Sequence, residues 1–345
     1  MSESKPIYFQ NLDGFRAIAA LLVIFAHLTY WFEYPETEFY ETLKFILSAG
    51  NGGGRLGVIF FFVLSGFLIT YLMFAEQEKT GRLHVGYFYM RRVLRIWPLY
   101  FISLIAGFFV YPFFVSLSGG SHHENASLLH YLIFAANFDH IYNYFPTCNI
   151  LGVQWSVSVE EQFYLLWPLV FYFFNRKSIF PVLLVLIIAF SEWFSATRGA
   201  VLKAGDYHLF SCLKYLAFGG LLAYFCYNHT EPVKKVLGRA GKALTLLCYL
   251  ASLVIIFLHG TISARFPRYE YVYHVIPMLF FGFVIVEQNF SDRSFYKIGR
   301  SSLLAWLGKI SYGLYLTHMI AINIVAGIFG NGPELVLLKG LLSLL

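Results

Sequence analysis

An arginine and a histidine that could do chemistry lie inside the first apolar segment of the chain. Arg16 and His27 are eleven residues apart, and Asp13 precedes the arginine by one helical turn. On an α-helix, eleven steps of about 100° return nearly to the same face, roughly 16 Å along the axis. Since ionisable groups are costly in hydrocarbon, we expect both side chains to face a bundle interior or a wet cavity. The alternative is that Arg16 extends to the membrane surface and His27 hydrogen-bonds a neighbouring helix.

Three arginines, Arg91, Arg92 and Arg95, begin the third apolar segment, just before Pro98 and Tyr100. Guanidinium groups bind phosphates through charge-assisted, often bidentate hydrogen bonds, so the cluster could hold a nucleotide-bearing donor such as coenzyme A. Basic residues also concentrate at the cytoplasmic ends of membrane spans for topological reasons alone. Both interpretations of the cluster stay open at this point.

Two adjacent carboxylates, Glu160 and Glu161, follow Trp155 and Ser158 and precede Tyr164. Neighbouring helix positions diverge by about 100°, so one carboxylate can point into a bundle while the other lies at an interface. A carboxylate beside a histidine can fix its tautomer and stabilise its charged form, which supports a general base. A glutamate pair without a chemical role is the alternative.

A polar stripe crosses the apolar segment near the end of the chain. Ser311, Tyr315 and His318 follow at steps of four and three, which places them near one helix face. Such residues also hydrogen-bond between helices, so packing alone could explain them. In the second apolar segment, Ser65-Gly66 adds a hydroxyl, and we expect Gly66 to permit the close approach of another helix.

The composition identifies the class of protein. Of 345 residues, 58% are hydrophobic and only 13% are charged, with a mean hydropathy of +0.63. These values exclude an ordinary soluble globule and predict a polytopic membrane protein. Its four cysteines lack a metal-ligand spacing, so no metal site is expected. The net charge of +6 comes from residues at segment edges, so nucleic acid is not an expected partner.

The apolar segments and the basic loops between them define the expected topology. The segments lie at 14–32, 56–74, 96–117, 153–174, 178–195, 207–227, 243–258, 271–286 and 304–329, and a last one begins near 335. Basic loops favour the cytoplasm, and they contain Arg82 and Arg91–Arg95, then Arg176-Lys177, then Lys234, Lys235, Arg239 and Lys242. These loops share one side only if Leu128–Phe138 does not span, which makes it a re-entrant or interfacial segment.

The sequence therefore predicts an all-α, polytopic transmembrane helical bundle of about ten spans with both termini cytoplasmic. We expect one integral-membrane domain over residues 1–345. The acidic loop with Glu33, Glu36, Glu38 and Glu41, followed by the glycines around Gly52, should face the outside. Only twelve residues follow Pro333, fewer than the ~20 that a span needs, so the last span is expected to be truncated.

Taken together, these stretches resemble the acyltransferase 3 family of integral membrane acyltransferases. The family's opening signature contains an arginine and a histidine separated by ten residues. The stretch from Leu12 to Ala20, which leads to His27, is similar to this signature. The other blocks are Gly57 to Thr70, Arg91 to Tyr100, Trp155 to Pro168 and Ile310 to His318, in the family's order. The Glu-Pro signature that usually ends the family's last span is absent here.

The resemblance implies a membrane O-acyltransferase of the bacterial cytoplasmic membrane, acting in cell-envelope polysaccharide modification. It implies transfer of an acyl group, commonly acetyl, from cytoplasmic acyl-coenzyme A to a hydroxyl of an extracytoplasmic or lipid-linked glycan. No cofactor would be bound permanently, because acetyl-coenzyme A is a substrate. A transporter or flippase of a glycolipid or sugar, using the same intramembrane ionisable residues, is the alternative.

For an acyltransferase we expect His27 to be the general base, Arg16 to hold the donor or the oxyanion, and Glu160 to orient the imidazole or the acceptor hydroxyl. Arg91, Arg92 and Arg95 would bind the coenzyme. The other candidate pocket residues are Asp13, Ser65, Tyr100, Trp155, Ser158, Tyr164, Ser311, Tyr312, Tyr315 and His318. Direct transfer and a covalent acyl-enzyme on His27 or Ser158 both stay open.

Overall fold

A computed structural model describes residues 8–47, 52–143, 145–176, 178–198, 207–265, 274–333 and 335–344. Within these ranges the chain forms helices and no β-strand, which confirms the all-α class. Parts of three predicted features lie outside the described residues: Gly50 and Asn51 of the glycine loop, Lys177 of the second basic loop, and 271–273 of the eighth apolar segment.

The helices follow the apolar segments along the chain. They are α1 (Gln10–Trp31), α2 (Glu38–Leu47), α3 (Gly53–Thr80), α4 (Val85–Ile105), α5 (Tyr111–Leu117), α6 (Leu128–Leu132), α7 (Ala136–Tyr142), α8 (Asn149–Gly152), α9 (Gln154–Phe174), α10 (Ile179–Arg198), α11 (Leu209–Asn228), α12 (Thr230–Arg265), α13 (Val275–Phe290), α14 (Ser302–Lys309), α15 (Ser311–Phe329) and α16 (Val336–Leu344). A π-helical turn, Ala106–Val110, joins α4 to α5, and a 3₁₀ turn, Ile298–Arg300, precedes α14.

Six of the described helices are long and apolar enough to cross a membrane: α1, α3, α4 continued through α5, α10, α11 and α15. A seventh is added if α12, which bends by 88° near Gly241, counts as one span. The chain is thus a multi-pass membrane protein, but the expected number of about ten spans is not confirmed. Of the other expected spans, α9 carries two glutamates, α13 has 16 residues and α16 has nine.

The segment from Leu128 to Phe138 does not cross the membrane. It forms α6 and α7, which have five and seven residues and are separated by Phe134 in a left-handed backbone conformation. A helix rises 1.5 Å per residue, so neither can traverse a hydrocarbon core of about 30 Å. Its re-entrant or interfacial placement stays a prediction.

Two small residues bring the central helices α3 and α11 into direct backbone contact. A Cβ atom at Gly66 would overlap the carbonyl group of Leu216, and one at Gly219 would overlap the carbonyl of Val63. Helices in lipid associate through such close packing because burial of apolar surface gives little drive there. The expected role of Gly66 is therefore confirmed, and α3 and α11 form the centre of the bundle.

Helices at the periphery present apolar side chains outward. Leu94 and Ile102 of α4, Phe109 of the π-helical turn, Phe113 of α5 and Val185 of α10 are all more than half exposed. A soluble protein rarely exposes such a continuous apolar surface, whereas lipid covers it in a membrane. These helices form the lipid-facing wall.

The two ends of the bundle differ in charge. One end, called here the basic end, carries Lys79, Arg91, Lys234, Arg239 and Arg293. A loop contacts α12 at this end, where Arg293 Nη1 donates to the carbonyl oxygen of Gly238 at 2.9 Å. The opposite end carries the acidic segment after α1, where the Glu33 amide donates to Asn331 O at 2.9 Å.

Candidate active site

A cavity of about 80 Å³ with both apolar and polar walls lies between α1, α3, α4, α9 and α15. Its polar lining consists of Arg16, Ser65, Arg92, Arg95, Ser156, Glu160, Tyr164, Ser311, Tyr312 and Tyr315. Helices that are distant in sequence thus bring together most of the polar residues singled out within apolar segments. We call this space the arginine cavity.

Glu160 is the acceptor at the centre of the arginine cavity. Ser65 Oγ donates to its Oε1 at 2.7 Å, and the Tyr164 hydroxyl donates to its Oε2 at 3.1 Å. The neighbouring Glu161 points elsewhere and accepts a bond from Trp97 Nε1 of α4 at 3.0 Å. The adjacent carboxylates therefore diverge as the helical geometry predicts, and only Glu160 belongs to the cavity.

Two of the cavity's arginines are held by different means. Arg16 Nη1 donates to Asp13 Oδ1 at 2.8 Å, and Asp13 also accepts a bond from the Tyr8 hydroxyl. Arg92 has its guanidinium carbon 5.7 Å from the centre of the Tyr164 ring. Its buried Nε has no hydrogen-bond partner in the part of the chain that the structure describes. Arg92 therefore retains donor capacity for an incoming anion.

The structure separates Arg91 from the other arginines of its cluster. Its Nη2 donates to Glu76 Oε2 of α3 at 3.0 Å, and its side chain is 54% exposed. Arg92 and Arg95 line the arginine cavity, but Arg91 does not. The ion pair with Glu76 thus holds Arg91 outside the cavity that the other two arginines line.

His27 lies toward the opposite end and forms a pair with His318. Its Nδ1 is 3.0 Å from Val23 O and 3.1 Å from His318 Nε2, while His318 Nδ1 is 2.6 Å from Tyr315 O. These partners are satisfied together if each ring carries its hydrogen on Nδ1. This assignment leaves Nε2 of His27 as the basic nitrogen.

The polar side chain that contacts His27 is thus His318 of α15 and not Glu160. Glu160 is hydrogen-bonded within the arginine cavity, and among the described residues no hydrogen bond joins Glu160 to His27. Ser311, Tyr315 and His318 are all buried on one face of α15, which confirms the predicted stripe.

Two adjoining cavities contain His27 in their walls. The smaller, about 270 Å³, is also lined by Trp155 and Tyr215, and the larger, about 760 Å³, by Tyr30 and Trp31. We call the pair the histidine cavities. Aromatic rings with polar tips suit sugars, because each ring offers both an apolar face and a hydrogen-bonding group.

Three side chains line both the arginine cavity and the smaller histidine cavity: Val58, Phe62 and Tyr315. We call these residues the septum. The Tyr315 hydroxyl lies 2.5 Å from Ser156 Oγ and also donates to Val153 O at 3.2 Å. The only polar group of the septum is therefore fixed by α9.

Two predicted pocket residues hold the α6–α7 segment instead of lining a cavity. The Tyr100 hydroxyl donates to Tyr131 O at 2.8 Å, and its ring stacks on Phe134 at 4.4 Å. Ser158 Oγ accepts the bond from the Ala136 amide at 3.3 Å. Both side chains are fully buried. They anchor the segment to α4 and α9.

Ser156 is a cavity residue that sequence reasoning did not select. It precedes Glu160 by four residues, and Tyr164 follows by four, so the three lie on one face of α9. That spacing is the signal that could have identified it. The intramembrane charges Glu192 and Lys214 were missed as well; they pair at 3.3 Å between α10 and α11.

The fold and the site thus define a class of protein. It is a multi-pass helical membrane protein with arginine, glutamate and histidine side chains around internal cavities. The chain belongs to the acyltransferase 3 family, because the profile of this acyltransferase domain matches residues 9–345.

Two relatives carry specific names. The peptidoglycan O-acetyltransferase OatA of Listeria monocytogenes is 26% identical over 341 residues, which are 90% of this chain and 49% of that protein. The O-acetyltransferase OatA of Staphylococcus aureus (strain NCTC 8325) is 29% identical over 191 residues, 52% of this chain and 28% of that protein. The chain spans about half the length of the Listeria relative. No solved structure is significantly similar to the chain.

Proposed function

We propose that the protein transfers an acetyl group from acetyl-coenzyme A at the basic end to a glycan hydroxyl at the opposite end. In this scheme the basic end is cytoplasmic, the membrane is the inner membrane of a bacterium, and the acceptor is peptidoglycan or a related envelope glycan. The observation that carries the proposal is the pair of differently equipped cavities on either side of the septum. The names of the relatives support the reaction class.

The arginine cavity suits the reactive end of the donor. About 80 Å³ holds several waters or a group of acetyl-thioester size, and not a whole coenzyme. Arg92 and Arg95 would meet the anionic donor from the basic end, and Arg16 would face the thioester oxygen. Asp13 keeps the Arg16 guanidinium in place through the 2.8 Å bond.

The histidine cavities suit the acceptor. Together they offer far more room than the arginine cavity, and their aromatic walls can pack against a sugar ring. Nε2 of His27 is the nitrogen left free by the bonds of Nδ1, so it is the atom that would accept the hydroxyl proton.

The proposed reaction converts the thioester of the donor into an ester of the acceptor. The acceptor oxygen attacks the thioester carbon, its proton passes to His27 Nε2, the carbon–sulfur bond breaks, and the thiolate leaves. The proton then leaves the imidazole and one proton neutralises the thiolate. Because Arg16 and His27 are separated by three turns of α1, roughly 16 Å, the acetyl-thioester end of the donor must extend past the septum before the acceptor attacks. Movement of Tyr315, Val58 and Phe62 would open that path.

The test is transfer by the purified protein from labelled acetyl-coenzyme A to a panel of envelope glycans. We expect free coenzyme A to appear only with an acceptor. His27→Ala should lower turnover by about 10²–10⁴-fold, the usual contribution of a general base. His123→Ala, which changes an exposed histidine, is the matched control.

Two results would count against the proposal. Near-normal turnover in His27→Ala would remove that residue from the reaction. Uptake of an intact glycan into vesicles without acetylation would identify a transporter instead.

A further inference from the structure

A separate cavity of about 270 Å³ lies at the basic end, between α12, α13 and the loop before α14. Its walls are mainly apolar and include Phe15, Leu246 and Ile298. One carboxylate, that of Glu287 on α13, also lines it. The arginine cavity shares no lining residue with it, so it is a distinct site.

Glu287 has hydrogen-bonding capacity that the protein does not use. Its side chain is 2% exposed, yet both donors bind the same oxygen, Oε2: the Tyr249 hydroxyl at 3.0 Å and Gln288 Nε2 at 2.9 Å. Within the described ranges, no hydrogen bond reaches Oε1 and no ion pair involves Glu287. A buried carboxylate with one oxygen left unbonded favours a cationic ligand that can donate a hydrogen bond to that oxygen.

The neighbouring basic residue, Lys297, does not supply the missing hydrogen-bond donor for Glu287. Lys297 Nζ donates to the carbonyl oxygens of Gln288 and Ser291, each at 2.6 Å. These bonds close the loop between α13 and the 3₁₀ turn, so the ammonium group is committed to the backbone. The cavity therefore keeps a carboxylate oxygen open to a ligand.

The mouth of the cavity indicates where the ligand comes from. Leu246, Phe295 and Tyr296 line it and are each close to half exposed, so the opening is apolar. Lys242 adds a positive charge, with its Nζ 5.9 Å from the centre of the Phe295 ring. An apolar mouth with one cation at its edge and one anion inside fits a zwitterionic membrane amphiphile better than a free amine in water.

We propose that this cavity binds an aminophospholipid of the membrane. Its primary ammonium group donates to Glu287 Oε1, its phosphate faces Lys242, and its chains leave along the apolar wall. A primary ammonium has three N–H donors, whereas a trimethylated choline headgroup has none. The site should therefore distinguish the two headgroups although their charges are the same.

Native mass spectrometry of the detergent-purified full chain tests the proposal. Phosphatidylethanolamine and phosphatidylcholine with identical chains are added in equal amounts, and the lipid adducts are counted. We expect phosphatidylethanolamine to predominate and Glu287→Gln to reduce its binding by about tenfold, the value of one charge-assisted hydrogen bond. Glu231→Gln, which alters an 83% exposed carboxylate at the same end, should leave binding unchanged.

A second variant separates binding from folding. Leu246→Trp narrows the mouth at a position that is 47% exposed and leaves the carboxylate unchanged, and it should also reduce phosphatidylethanolamine binding. Equal binding of the two lipids, or undiminished binding in a folded Glu287→Gln protein, would overturn the proposal. Displacement of the lipid by acetyl-coenzyme A would also overturn it, by assigning the cavity to the donor.

Discussion

His27 and His318 illustrate how two identical side chains acquire different roles. The Nδ1 atom of each ring faces a backbone carbonyl. Nε2 of His318 is hydrogen-bonded to Nδ1 of His27, whereas Nε2 of His27 has no hydrogen bond to His318. Only His27 lines the histidine cavities. In the proposed mechanism His318 is therefore a positioning residue, which would help to hold the imidazole of His27 in one tautomer.

Substitution of His318 tests this role. His318→Leu removes one of the two acceptors of His27 Nδ1–H and should lower kcat about five- to tenfold at unchanged KM, since one neutral hydrogen bond is worth about 1 kcal/mol. His318→Gln places an oxygen near the lost nitrogen and should restore part of the activity. The pH profile of kcat should shift in the Leu variant and return in the Gln variant. A loss that Gln does not relieve, with an unaltered profile, would indicate a packing role.

Arg92 and Arg95 allow a test of donor binding with an internal control. Both line the arginine cavity, whereas Arg91 pairs with Glu76 outside it. Replacing Arg92 and Arg95 by Ala should weaken acetyl-coenzyme A binding, most strongly at low salt, where charge interactions are least screened. Arg91→Ala should have a much smaller effect, measured by equilibrium binding at matched protein concentration. Equal losses in both variants would assign the cluster to general surface charge.

At the scale of helices, close backbone contact positions the site. Ser65 and Glu160 meet across α3 and α9, and α3 is held by its contact with α11 at Gly66 and Gly219. Gly308 plays a similar part, because a Cβ there would overlap the backbone of Asp13, the partner of Arg16. Small residues thus determine how far apart the polar side chains lie.

The Gly66 contact predicts a specific loss of stability. Gly66→Ala should destabilise the protein by about 1–3 kcal/mol, the usual penalty of overpacking, because the new methyl group meets the Leu216 backbone. Gly327→Ala is the control, since Gly327 lies in α15 with open space where its Cβ would be. Thermal unfolding in detergent should show a lower Tm for the first variant only. An unchanged Tm in Gly66→Ala would mean that the helices can separate freely.

At the scale of the whole molecule, the topology depends on whether α9 crosses the membrane. Its 21 residues extend about 31 Å, enough to cross, although its glutamates make it less apolar than the six candidate spans. If α9 crosses, five spans separate Glu41 from Lys235. If it does not, four spans separate them.

Reporter fusions after Glu41 and after Lys235 distinguish these topologies. We expect them to report opposite compartments, with Lys235 on the cytoplasmic side because of the basic residues around it. This result places the arginine cavity toward the cytoplasm and the histidine cavities toward the outside. Reports from the same compartment would remove α9 as a span and contradict transfer across the septum.

The sequence by itself determined the membrane class, the helical segments and the polar residues worth examining. Apolar runs and helical periodicity are local properties, and they predicted that Glu160 and Glu161 would diverge and that Ser311, Tyr315 and His318 would share a face. Family blocks added the acyltransferase assignment, which the profile match over residues 9–345 confirms.

Only the tertiary structure decided which of these residues meet. Hydrogen bonds such as Ser65 to Glu160 and His27 to His318 join positions 95 and 291 residues apart, and no local pattern encodes such pairs. For the same reason, the sequence could not show that Arg92 lines the arginine cavity whereas Arg91 does not. It also could not show that Tyr100 and Ser158 anchor the α6–α7 segment. Contacts between helices depend on how closely the backbones approach, and between α3 and α11 glycines on both helices permit that approach.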